Sequence, residues 1–420
     1  MMRFTALLTI LFAAASAAAA QTNTYNILHS FDGGGADGAS GNIGVVIDGS
    51  TLFGMTEAGG ANNQGTIYRL DASGSGFSVL HSFAGGNSDG LSPMGGLIRN
   101  DSTLYGMTGW GGASGCGTVF KMQTDGSGFS VLHAFTGGAN DGQQPAYSRL
   151  TRSGNTLYGM TEYGGSNSGL GKGTIFKVNV DGSGYTVLHS FTGGIGDGAD
   201  PQSGLTVIGD TLYGTTKAGG VSDFGTLFKI GADGNGFSIL HSFGANTRGG
   251  VSPCGELTLS GTTLFGTAQQ GGGNGPYGTI FKIDVSGQDY TVLHNFDYGN
   301  PNDAAYSVGS LTLSGQTLYG TAGSGVNSSG ILFQMNIDGT GFTRLHAFQG
   351  GTADGSSPGQ IVTLDNGILY GTTWSGGSSP NSSSGRGTVY SLAVPEPTTL
   401  ALLGVGAVGL FGYAWRRRRA

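Results

Sequence analysis

Charge is what this chain has least of. Asp, Glu, Lys and Arg together make up 10% of its 420 residues, and 86 glycines sit among the rest. That mixture disfavours long helices, because glycine costs about 1 kcal/mol in a helix interior, and it suits short strands joined by tight turns. Basic residues are scarce and scattered: the formal charge is −7. The two terminal segments described below hold five of the 18 basic residues and one acid. Without them 13 basic face 24 acidic residues, a net −11. An acidic body with no basic stripe repels phosphate backbones, which argues against a nucleic-acid partner. Also lacking are a nucleophile motif, a phosphate loop and a dinucleotide fingerprint. Aromatics are not lacking: 22 Phe and 16 Tyr recur at regular intervals, enough apolar surface to offset chain entropy.

The two ends read as addresses. Residues 1–20 combine Arg3, an apolar run from Phe4 to Phe12 and the small residues Ala17 to Ala20, the pattern of a secretory signal peptide cut after Ala20. At the other end, Pro395-Glu396-Pro397 precedes an uncharged apolar stretch, 398–415, and then Arg416, Arg417, Arg418 and Arg419. Eighteen helical residues at ~1.5 Å each reach ~27 Å, enough for a transmembrane helix, with the arginines on the cytoplasmic side. The order of motif, apolar helix and basic tail in 394–420 resembles the PEP-CTERM sorting signal of Gram-negative bacteria. That resemblance implies an exosortase-type processing protease as partner and transient residence in the inner membrane. It also implies release or attachment at the cell surface of a strain that makes exopolysaccharide and biofilm. A plain, unprocessed anchor is the alternative.

Between these ends one unit repeats. A Leu-His-Ser/Ala/Asn-Phe tetrapeptide places all seven histidines, His29, His81, His133, His189, His241, His294 and His346, at separations of 52, 52, 56, 52, 53 and 52 residues. A Thr-Leu-Tyr/Phe-Gly element and a Gly-Thr-Ile/Val/Leu-Phe/Tyr element recur in step with it. The second copy parses into four strands: Gly95 to Arg99, Thr103 to Thr108, Gly117 to Met122 and Phe129 to Phe135, separated by turn residues. In the last of these, alternation puts Phe129, Val131, His133 and Phe135 on one face. Repeated four-stranded units of about 50 residues are the mark of a β-propeller, so residues 21–393 are expected to be an all-β domain of seven blades. Thr24 to Phe31 is a fourth-type strand without the preceding three, and the last copy stops at its third strand, so the N-terminal strand should complete the last blade. An open solenoid is the runner-up. Cys116 and Cys254 fall at non-equivalent points of the second and fifth copies, and a ring would hold them apart, so no disulfide is expected. The repeat itself resembles the GloVer tandem repeat, a resemblance that implies a secreted, surface-held protein and no particular activity.

Candidate chemistry is sparse. Each histidine lacks a second one nearby, and outermost strands cannot converge on one ion, so a structural role is expected and no metal or cofactor. The Gly-Gly-x-x-Asp-Gly loops place Asp37, Asp89, Asp141, Asp197 and Asp354, one carboxylate per loop, which fits turn chemistry better than calcium binding. The pattern breaks most after Leu-Tyr-Gly-x-x, where Glu57, Trp110, Glu162, Tyr163, Lys217, Gln269, Gln270 and Trp374 stand. In a propeller these positions would form one ring of carboxylates, amides and aromatics suited to sugars, through ring stacking and bidentate hydrogen bonds. The alternative is loop tips free to vary. Glu57 and Glu162 are two blades apart, too far for a glycosidase pair. The expected function is therefore a non-catalytic scaffold or binding module, associated with extracellular polysaccharide. A polysaccharide lyase or hydrolase on the same fold and a purely structural surface protein are its rivals.

Overall fold

The computed structural model describes residues 24–145, 147, 149–165, 171–244, 247–307, 309–325, 328–379 and 385–394. They form a seven-bladed propeller of antiparallel sheets, and among the described residues the one helical element is a single 3-10 turn, Thr247–Gly249. Blade 2 shows the plan. Ile98–Asn100 lies innermost, followed outward by Thr103–Thr108, Thr118–Gln123 and Ser130–Ala134. Each blade is too apolar on both faces to stand alone, and the core accordingly lies between blades. Phe53, Met55, Ile67 and Phe83 of blade 1 pack against Leu97, Leu104, Phe120 and Met122 of blade 2.

The glycine of each Leu-Tyr/Phe-Gly element belongs to this packing. A Cβ at Gly106 would lie 2.5 Å from Cζ of Phe120 and 3.1 Å from Cδ2 of Leu97. Only the missing side chain lets the aromatic ring of the third strand cross the second.

The ring is closed by the chain's own first strand. Tyr25–Ser30 pairs antiparallel with Thr388–Ala393, supplying the outermost strand of blade 7. Phe31, Tyr370 and Val389 of that blade then pack on Val45, Leu52, Tyr68 and Leu70 of blade 1, as at the other interfaces. At the centre, Ile361 N–H donates to Ile43 O (2.8 Å) and Thr363 Oγ1 to Val45 O (2.5 Å) across the same junction.

One expectation about strand faces is corrected. Val131 sits opposite Phe120 but His133 opposite Val119, so Leu132 is an extra residue, a β-bulge. The bulge reverses the alternation. Phe129 faces back, stacking on His81 of blade 1, while Leu132 and His133 both face blade 3. The same register shift occurs in every blade.

The loops divide between two faces. The second-to-third and blade-to-blade connections share an upper face, where Gly112 N–H donates to Asp89 O (2.8 Å). First-to-second and third-to-fourth turns share the lower face, where Ala72 N–H donates to Ser50 O (2.7 Å). Both ends of the ring lie there too: Ala393 N–H donates to Thr24 O (3.2 Å) and Val394 N–H to Gly367 O (2.9 Å). Among the described residues no helix is long and apolar enough to cross a membrane. The expected signal peptide, the span 398–415 and the motif residues Pro395 to Arg419 lie outside the described residues.

Candidate functional site

The upper rim is built by one stitch repeated seven times. Ser40, Ser92, Gln144, Asp200, Ser252, Tyr306 and Ser357, one per blade, adopt left-handed backbone with φ between +50° and +61°. Such strain costs on the order of 1–3 kcal/mol per residue and persists only where surroundings impose it. Here hydrogen bonds impose it. Ser92 N–H donates to Gln64 O of the preceding blade (2.9 Å), and Ser92 O accepts from Gly109 N–H of its own (3.0 Å). Gln144 and Asp200 do the same with Glu162 (3.1 Å) and Lys217 (3.2 Å), so the residues carrying the variable side chains are fixed to the rim by their own backbones.

On this rim the eight variable residues follow one another over six consecutive blades. Blades 7, 1, 2 and 3 carry Trp374, Glu57, Trp110 and the pair Glu162-Tyr163, and blades 4 and 5 carry Lys217 and the pair Gln269-Gln270. Trp110 and Trp374 are 39% and 41% exposed, unusual for rings of that size, and offer open stacking surfaces. Lys217 and Gln270 are exposed, Tyr163 and Gln269 half-buried. Glu162 is buried and accepts a 2.8 Å hydrogen bond from Gln202 Nε2. Glu57 is half-buried, and its Oε2 is shut from solvent with no hydrogen-bond partner among the described residues. Burial pushes its carboxyl above the usual range.

The glutamates lead to a feature that motif reading missed. The phenol of Tyr147 is pushed up first by burial and then by the charges of Glu162 and Glu57. Tyr147 stands at the mouth of the central channel with φ +62°. Its position has a simple cause. Ten residues separate Pro93 from Thr103, Pro201 from Thr211 and Pro253 from Thr263, but eleven separate Pro145 from Thr156. Blade 3 carries one extra residue where its chain enters the channel.

Below Tyr147 the channel is stopped. The ring position filled by Gly44, Gly96, Gly204, Ser310 and Ile361 holds Arg149 in blade 3 and Glu256 in blade 5. Arg149 Nε donates to Glu256 Oε2 at 2.5 Å, and the Glu256 charge holds the guanidinium even more firmly protonated than usual. At this level, between Ile43, Tyr147 and Gln360, only about 10 Å³ is open. Beneath it a cavity of about 350 Å³ is lined in part by threonines, of which Thr258, Thr312 and Thr363 donate to Leu311 O, Val362 O and Val45 O at 2.5 Å. Charges at two of seven equivalent positions, and the eleventh residue, were the sequence signals for this site.

The histidines occupy the perimeter. Each imidazole stacks on an aromatic ring of the next blade at 3.5–4.0 Å: Phe77, Phe129, Tyr185, Phe237, Tyr290, Phe342 and, closing the circle, Tyr25 on His346. Six of them also meet a loop aspartate through Nε2, at 3.0–3.2 Å. These aspartates are the five named from the sequence and Asp303, whose loop has lost the flanking glycines. Asp141 accepts from His133 Nε2 (3.2 Å), Thr136 N–H and Oγ1 (both 2.8 Å), Gly142 N–H (2.7 Å) and Tyr185 Oη (2.5 Å). Burial alone would raise its pKa. The hydrogen bonds from His133, Tyr185 and Thr136 outweigh it and hold the carboxyl at about 2. With its oxygens filled by donors, such a carboxylate has nothing left for calcium. Among the described residues no group of three or more His, Cys, Asp or Glu side chains is placed to hold a metal ion. Among the described residues His241 meets no such aspartate, and burial pushes its pKa down.

Comparison with known proteins adds the following. No curated protein matches the chain. Among solved structures, an oligogalacturonate lyase in complex with manganese superposes with a TM-score of 0.53 at 12% identity, over 89% of this chain and 97% of that one. A nidogen/laminin complex matches at TM-score 0.42 and 14% identity (65% and 85% covered), and the tricorn protease at 0.43 and 9% (79% and 29%). At 12% identity the likeness to the lyase is one of fold. Residues 393–419 match the PEP-CTERM protein-sorting motif, which implies export to the envelope of a Gram-negative bacterium and processing by exosortase-type machinery. Residues 16–217 and 169–390 each match the Gloeobacter/Verrucomicrobia repeat, so that between them they take in all seven blades: the chain belongs to the Gloeobacter/Verrucomicrobia repeat family.

Proposed function

We propose that this is a non-catalytic binding module, exported by its signal peptide, held briefly in the inner membrane and then displayed at the cell surface, where its upper rim engages matrix polysaccharide. The observation that carries the reading is the sector of blades 7, 1, 2 and 3. There, two exposed tryptophans alternate with two glutamates on a backbone stitched by hydrogen bonds. Rigid, preformed aromatic platforms bind sugars without paying for loop ordering. The sorting motif supports the address, and the repeat supports the scaffold.

The test is retention of the mature protein on the producer's exopolysaccharide and on a glycan array, with Trp110→Ala and Trp374→Ala alongside. Each truncation removes a stacking surface and should weaken retention about tenfold, the equivalent of ~1–1.5 kcal/mol. Unchanged retention in both variants would sink the rim as binding surface. Release of new reducing ends or unsaturated ends from the same polymer would favour the lyase or hydrolase reading instead.

A further inference from the structure

Every exposed large hydrophobic side chain among the described residues lies in an upper-face loop. Besides Trp110 and Trp374 these fall into two sets: Ile195, Val221 and Phe224 around blade 4, and Tyr298 and Tyr306 at the entry to blade 6. The second set stands where the repeat has been rewritten. In five blade-to-blade loops Gly33, Gly85, Gly137, Gly193 and Gly350 hold one place with φ between +69° and +75°, each donating its N–H to a later glycine carbonyl at 2.9–3.1 Å. In the loop into blade 6 Tyr298 takes that place, and one residue is added: Asp303 follows His294 by nine positions where the other five aspartates follow by eight. New bonds hold the longer turn. Gly299 N–H donates to Asp297 Oδ1 (2.9 Å), Asn302 N–H to Asn300 Oδ1 (3.0 Å), and Arg344 Nη1 of blade 6 to Pro301 O. Shortly after Asp303, Tyr306 holds left-handed backbone at φ +59°, a position given to serine in four other blades and strained for an aromatic.

We infer that Tyr277, Tyr298 and Tyr306 form a second sugar-stacking platform, at the junction of blades 5 and 6. This rests on the reading of the upper face as a polysaccharide-binding surface and adds a site to it. Tyr277 joins the two exposed residues: its ring lies 6.0 Å from that of Tyr298, tilted by 32°, and its carbonyl accepts from Tyr306 N–H at 2.6 Å. Half-buried itself, it packs on the core between blades 5 and 6 and gives the platform a fixed base. Tyr298 and Tyr306 are 43% and 40% exposed, as open as the two tryptophans. The chemistry selects a sugar. Each tyrosine offers a flat apolar face to the C–H side of a sugar ring and a hydroxyl to its oxygens. The exposed Asn300 and Asn302 of the same loop carry the paired donors and acceptors that vicinal hydroxyls require. A protein partner needs about 800 Å² with a continuous apolar centre, whereas the exposed aliphatic residues among those described, Ile195 and Val221, stand around blade 4. Strained backbone beneath an exposed ring adds little to the core and fits a residue kept for a ligand.

The test is retention of the mature protein on the producer's exopolysaccharide, comparing Tyr298→Ala, Tyr306→Ser and the two combined with a Trp110→Ala, Trp374→Ala double variant. The combined tyrosine variant should be retained about tenfold more weakly than wild type. Tyr306→Ser restores the residue of four other blades and relieves the strain, so its melting temperature should equal or exceed that of wild type while its retention falls. A tyrosine with a merely structural role would not separate the two readouts. Retention lost in the tryptophan variant but unchanged in the tyrosine variants would overturn the platform and leave the rim reading standing. The reverse pattern would keep the platform and remove the tryptophans. Retention that falls only in step with melting temperature would overturn the platform. So would self-association of the wild type in sedimentation that the tyrosine variants abolish, because the rings would then join copies of this chain. No retention of the wild type would remove both readings.

Discussion

Replacing Asp141 by Asn removes one charge and almost no volume, and its consequences can be worked out in advance. In the folded protein the carboxyl titrates at about 2, against about 3.9 in an unfolded chain. A depression of nearly two units at ~1.4 kcal/mol each is about 2.5 kcal/mol of stability, and the side chain is 10% exposed, so solvent screening takes little of it. The sign follows from which state takes the proton first. Because the folded pKa is the lower, the unfolded chain is protonated earlier on acidification. The contribution is therefore whole above about pH 4 and gone once the pH has fallen through 2. An asparagine has one acceptor oxygen where five donors converge, and its amide must point N–H at another N–H or hydroxyl. Asp141→Asn should therefore lose at least about 2.5 kcal/mol at pH 7, read as a lowered urea midpoint at unchanged slope. The gap to wild type should close between pH 4 and pH 2. A loss under about 0.5 kcal/mol at neutral pH, or a gap independent of acid, would refute the account of how the outer strand is fastened to its loop.

Two further outcomes follow from the same packing. Gly106→Ala pushes a methyl into Phe120 and Leu97 and should cost about 2 kcal/mol, while Gly196→Ala, with nothing within 4 Å and no positive φ, should be nearly silent in the same thermal melts. His241 resists protonation because it is buried, so the unfolded state takes the proton first. Its share of stability is intact above about pH 6.5 and falls as the pH drops below. His241→Gln should be less sensitive than wild type between pH 7 and 5, and identical slopes for the two would show that the imidazole is not held neutral.

The architecture was legible because it is periodic. Seven spaced histidines, an orphan fourth-type strand at Thr24 to Phe31 and a missing one at the end were enough to place the blades and the closing pair Tyr25–Ser30 with Thr388–Ala393. What stayed hidden was local. The bulge at Leu132 changes which way His133 points, but a single extra residue in a seven-residue strand leaves an apolar pattern that reads equally well without it. Asp303 escaped because its loop reads Asn-Pro-Asn-Asp-Ala, although the carboxylate meets His294 at 3.0 Å as its counterparts do. The axial cluster escaped for a different reason. Arg149 and Glu256 are 107 residues apart and become neighbours only once the ring has shut, whereas the variable rim positions could be found simply by comparing copies.

The place where the chain leaves the ring fixes an orientation. Val394 is pinned to Gly367 at the turn side of blade 7, beside Thr24, so both termini depart from one corner of the face that carries no variable residues. A tether attached beyond Val394 would hold the disc with that side toward the support and its tryptophans toward the surroundings. Six-residue strands give the standoff, ~20 Å. A processing enzyme can approach either terminus from beneath without passing over the decorated side, and trimming there leaves the outward side untouched.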